Sequence, residues 1–261
     1  MTNYKEIKKR KTGFKRVGVI FVVIVSLVSV VALADIFSTA LTTGKFSFGI
    51  FKVKDLKLDS RILYAVCMGE SDDKFTAYNI AGGVSVLGAG GYVWHENNYK
   101  VVANIYQSLD DATKIVNNIS NTNYEVSVHE INLNSVDIDK FELEDDDKVL
   151  IYDIICRIYQ LYIDLYDMSN NIDTKKITYI QASSIANSYK SEAKVNISKL
   201  EEIISRSNNH VVKNIRDTYV HIIDILDGLV YKLLEDNQTT TVVKYCEIDV
   251  VYRLFLLLKS L

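Results

Sequence analysis

Hydrophobic and polar positions divide this chain into three regimes. Residues 17–34, VGVIFVVIVSLVSVVALA, form an uninterrupted apolar run without a charge. As a helix rising about 1.5 Å per residue it spans roughly 27 Å, near the thickness of a hydrocarbon layer. From Arg61 to about residue 135 the period alternates between two and near-helical. RILYAVCMGE places Ile62, Tyr64, Val66 and Met68 on one side and reads as a half-buried strand closed by Gly69. Phe75, Tyr78, Ile80 (or Ala81) and Val84 follow at helical spacing behind Ser71 or Asp72 as the N-cap, and Gly82-Gly83 inside that helix calls for close packing. GYVWHE and YKVVANIYQ are two strands joined by a turn at Glu96-Asn97-Asn98. Ser108, Asp110 and Asp111 open a second helix whose face carries Leu109, Ala112, Ile115, Val116 and Ile119. YEVSVHEINL alternates again. The order is β-α-β-β-α-β, and two helices on one face of an antiparallel sheet bury these stripes while the other face stays open.

From about Asp145 the period becomes helical throughout. Val149, Tyr152, Ile155, Cys156, Tyr159, Tyr162, Ile163 and Tyr166 recur at three and four, and later helices fall near 174–206, 208–236 and 240–260. The last of these, with VVYRLFLLLKS, is too short to span a bilayer and reads as a buried member of a four-helix bundle. The expected fold class is therefore α+β followed by an all-α bundle, behind an N-terminal transmembrane helix. The expected divisions are a basic tail (1–16), an anchor (17–35), a linker (36–60), a sheet domain (61–135) and a helical domain (145–261).

Charge orients the chain. Seven lysines and arginines precede the apolar run against one acid, Glu6, and Asp35 follows it. This asymmetry predicts a cytoplasmic N-terminus and an extracytoplasmic remainder in a single-pass membrane protein. A leader cleaved after Ala32-Leu33-Ala34 exports the same domains. Net charge is −3, which supplies no basic face for nucleic acid. Three cysteines, Cys67, Cys156 and Cys246, are too few and too scattered for a disulfide framework or a metal motif, and read as buried free thiols. The four histidines lack metal-ligand spacing, and no nucleophile–base set or phosphate loop occurs, so no cofactor, metal or enzymatic activity is expected. The acidic run from Glu142 to Asp147 reads as a solvated helix start.

Tyr64-Ala65-Val66-Cys67-Met68-Gly69, Gly90-Gly91-Tyr92-Val93, Tyr99-Lys100-Val101-Val102-Ala103 and Ser108-Leu109-Asp110-Asp111-Ala112, in this order, resemble the SPOR (sporulation-related) domain of bacterial envelope and division proteins. Cys67 stands where the family usually carries Gln, and Asn104 where a late-strand glycine is common. The resemblance implies a non-catalytic module that binds peptidoglycan glycan strands in cell division or sporulation. Strand alternation would then present Cys67, Tyr92, Trp94, Lys100, Asn104, Ser127 and His129 on the open sheet face, an aromatic pair with polar groups suited to sugar rings. Two readings of that face are open. In one it is a saccharide platform. In the other the C-terminal helices bury it, Trp94 is a packed aromatic, and the protein is a membrane-tethered scaffold or receptor for a protein partner.

Overall fold

A computed structural model describes residues 56–119, 123–235 and 240–261. The apolar segment 17–35 and its basic flank lie outside the described residues. Among the described residues no helix is long and apolar enough to cross a membrane.

The alternating half of the chain forms β1 (Lys57–Leu58), β2 (Arg61–Ser71), α1 (Lys74–Val86), β3 (Tyr92–His95), β4 (Tyr99–Tyr106), α2 (Leu109–Asn118), β5 (Ser127–Leu133) and β6 (Val136–Asp137). A 3-10 turn, Ile138–Lys140, leads into α3 (Asp145–Asp173), α4 (Tyr179–Ser207), α5 (His210–Lys232) and α6 (Thr241–Ser260). Four strands make one antiparallel sheet in the order β3-β4-β2-β5. This is a split β-α-β arrangement, and the expected β-α-β-β-α-β order and α+β class are present.

The N-cap of α1 is Asp73, whose carboxylate accepts from the Thr76 amide at 2.7 Å, rather than Ser71 or Asp72. Of the two glycines in α1, only Gly83 meets a close neighbour, because a Cβ there would collide with the Tyr124 hydroxyl. Gly82 faces open space. The expected linker is part of the fold at its end: Lys57 and Leu58 pair with Asp137 and Val136, and Leu56 is buried in the core. The acid run begins α3 as expected, but Asp147 is buried and accepts from Arg206 at 3.0 Å.

Strand alternation sorts the sheet into two cores. Val66, Met68, Val101 and Ala103 pack with Ala77, Ala81 and Val84 of α1 and Ala112 of α2. Ala65, Cys67, Tyr92, Trp94, Val102, Ile105, Ile131 and Leu133 point the other way, into the same core as α3 to α6. β2 is therefore buried on both faces from Ala65 to Met68, not half-buried. Sheet and bundle share one core, and the described residues form one compact unit.

Candidate functional site

The residues expected on an open sheet face do lie together, with one exception, but α6 covers Tyr92 and Trp94, the aromatic centre of that face. Trp94 is 0% exposed and Tyr92 is buried. The Trp94 indole packs edge-on against Tyr252 at 4.8 Å and against Phe255 at 5.4 Å between ring centroids. Tyr92 packs against Tyr245 at 5.1 Å and Tyr252 at 5.7 Å. Tyr245, Asp249 and Tyr252 are spaced four and three apart, so α6 presents them as one stripe toward β3. Sequence reasoning missed this stripe as the partner of Tyr92 and Trp94. The expectation of an open platform gives way to the alternative, a packed aromatic layer.

The layer is pinned by one buried acid. Asp249 Oδ1 accepts from the Tyr92 hydroxyl at 3.0 Å and from Arg253 Nε at 3.2 Å. His221 Nε2, on α5, lies 3.6 Å from Asp249 Oδ2. Burial, with the charge of Asp249 second, pushes the Tyr92 phenol above its ordinary range, so it remains a proton donor to the carboxylate. The Tyr252 hydroxyl donates to the His95 carbonyl at 3.1 Å, closing the edge where β3 turns into β4.

The remaining candidates occupy the rim or the opposite face. Lys100 is paired with Trp94 across the ladder, and its Nζ donates to Asn98 Oδ1 at 2.7 Å and lies 3.7 Å from Glu70. His129 stands 3.5 Å from Glu96, and Ser127 is exposed at the start of β5. Cys67 is buried, and desolvation pushes its thiol up to about 12.

Asn104 is the exception. The register shifts between Val66↔Asn104 and Cys67↔Val102, so Ala103 and Asn104 together oppose a single step of β2. The bulge turns Asn104 to the helix-covered face, where it lines a cleft with Val66, Met68 and Ala103. The Ala103 carbonyl, left out of the ladder, accepts from the Gly90 amide at 2.8 Å. A Cβ at Gly90 would stand 2.5 Å from Ile248 Cδ1 and 3.2 Å from that carbonyl, so a larger residue there requires Ile248 to move. Simple alternation could not reveal a bulge that carries no glycine of its own.

One buried group has no counterpart in the sequence reading. Glu247 on α6 is fully buried, and neither carboxyl oxygen finds a hydrogen-bond partner. Burial raises its pKa well above the ordinary carboxylate range, and the nearby Lys244 opposes that shift only in part. Among the described residues no group of three or more His, Cys, Asp or Glu is placed to hold a metal ion. No protein-family model, curated protein or solved structure matches this chain.

Proposed function

We propose that this chain is a membrane-tethered, extracytoplasmic binding protein that recognises a protein partner through the outer face of α1, with no catalytic role. The run Val17–Ala34 anchors it with the N-terminus in the cytoplasm. What carries the reading is the pair of apolar faces on α1. One face packs on the sheet through Ala77, Ala81 and Val84. The other presents Phe75, Tyr78 and Val86, which are 74%, 54% and 87% exposed, along a single stripe with Gly82 between them. A helix with two apolar faces belongs between two surfaces, and the described residues supply only one of them. The partner that fits is an apolar protein ridge that seats against the two aromatics and the notch at Gly82.

The peptidoglycan reading keeps one observation in its favour, the β-α-β-β-α-β order on which the SPOR resemblance rests. Glycan binding through the sheet would require α6 to leave an aromatic layer that it fills.

The two readings separate in one experiment on the full-length chain. A photo-crosslinking amino acid at Tyr78 should give one discrete protein adduct in cells of the source organism, lost on Phe75→Asp. The same probe at exposed Ser198 on α4 should give none, and the purified chain should not sediment with amidase-treated peptidoglycan. Sedimentation that is lost in a folded Trp94→Ala variant, with no Tyr78-specific adduct, would overturn the protein-partner reading in favour of glycan.

A further inference from the structure

We propose that the cleft between the C-terminal ends of α1 and α2 is a binding site for a neutral, mainly apolar small molecule carrying one hydrogen-bonding group. This site is separate from the stripe on α1 and does not depend on it.

The cleft has a volume of about 500 Å³, within the range that encloses a drug-sized ligand. Its origin is local. α2 is only ten residues long, and the bulged residues Ala103 and Asn104 line the cleft beside its end at Asn118 and Ile119. Val66, Met68 and Ala103 form the floor, and Leu87 and Ile115 the sides. Polar side chains enter at few points: the amides of Asn104 and Asn118, the Tyr106 hydroxyl, and Lys244 reaching round from α6. Asn104 is held in place, since its Oδ1 accepts from the Ile105 amide at 3.0 Å and its Nδ2 donates to the Tyr106 hydroxyl at 3.3 Å. One amide hydrogen is left over for a ligand acceptor.

Electrostatics excludes an anion. Lys244 Nζ lies 3.0 Å from Asp173 Oδ2 and donates to the Gly88 carbonyl at 3.1 Å, so its charge is already neutralised. Glu247, one turn further along α6, adds no positive charge when protonated and repels an anion when ionised. A carboxylate ligand would therefore lose its water without gaining a free cation. A neutral ligand loses little polar hydration and buries its apolar body against the floor.

The test is photolabelling of the full-length chain in lipid nanodiscs with a diazirine-bearing fatty alcohol, with labelled peptides mapped by mass spectrometry. Site mapping separates the cleft from label dissolved in lipid. Saturable labelling is expected on the segments holding Met68, Leu87 and Ile115, falling about tenfold or more, the equivalent of about 1.4 kcal/mol, when Ala89→Phe fills the opening. The carboxylate of the same chain length should label those segments weakly. Circular dichroism checks that Ala89→Phe folds, and labelling of the wild type stands on its own if it does not. Labelling that is spread evenly over the surface, or does not saturate, would overturn the site. Preferential labelling by the carboxylate would overturn the ligand class.

Discussion

Truncating Trp94 to alanine should cost the fold several kilocalories per mole. The side chain is fully buried and makes two aromatic contacts across the sheet–α6 interface. Removing a buried Trp side chain typically costs about 3–5 kcal/mol through lost transfer and the cavity left behind. Each aromatic pair contributes about 0.5–1.5 kcal/mol beyond its area. One term acts in the other direction: the indole Nε1 has no hydrogen-bond partner, so truncation also removes an unsatisfied donor worth about 1–3 kcal/mol. The balance is a loss of about 3–4 kcal/mol, or roughly 10 °C in melting temperature for a unit of this size. Trp94→Phe keeps the packing, removes the orphan donor, and should cost less than half as much. Urea unfolding of residues 55–261, followed by circular dichroism at 222 nm, measures both. A Trp94→Ala loss below about 1 kcal/mol would refute the packed layer, because only a side chain facing solvent is removed so cheaply.

Other expectations follow from particular side chains. Gly82→Ala should stabilise by about 0.8–1 kcal/mol, since no atom lies within 4 Å of the new methyl group and helix propensity improves; thermal unfolding should show no such gain for Gly83→Ala, where Tyr124 must move. Glu247 has a folded-state pKa raised above its unfolded value, so its favourable contribution is complete at acid pH and is lost as pH rises above the ordinary carboxyl range. Glu247→Gln should therefore match the wild type near pH 4 and exceed it increasingly toward neutrality, by at most about 1.4 kcal/mol per pH unit; equal pH profiles in urea titrations would contradict the burial of an unpartnered acid. Thiol titration of the native chain at pH 8 should modify half-buried Cys156 well before Cys67 and Cys246, whose thiols burial pushes up to about 12. Rapid reaction at Cys67 would mean that the sheet face opens.

Much of the architecture was legible because period and burial agree. Strand alternation placed Tyr64, Val66 and Met68 opposite Ala65 and Cys67, and Val93 opposite Tyr92 and Trp94, as observed. The helical period from Asp145 onward gave four helices with ends close to those found. What alternation cannot give is what lies against a face. The signal was present in composition: β2 reads Ala65-Val66-Cys67-Met68 without a polar break, and α6 buries Val250, Val251, Leu254, Phe255, Leu257 and Leu258 around most of its circumference. A strand apolar on both faces and a helix apolar nearly all round each need two partners, and each supplies one for the other. Asn104 failed for a different reason. A bulge shifts parity by one residue and sends every later side chain on the strand to the other face. Glu247 was invisible for a third reason, since an acid in an apolar helix reads as a solvated position unless the packing around it is known.

Trp94 is the chain's single tryptophan, so its fluorescence reports directly on the central claim that α6 seals the sheet face. Iodide quenching of the native full-length chain should be close to nil, with blue-shifted emission, and should rise to that of an exposed indole only on unfolding in urea. Adding amidase-treated peptidoglycan should leave both the quenching and the emission maximum unchanged. Efficient quenching in the native state, or a shift of the emission on adding the glycan, would contradict the sealed face.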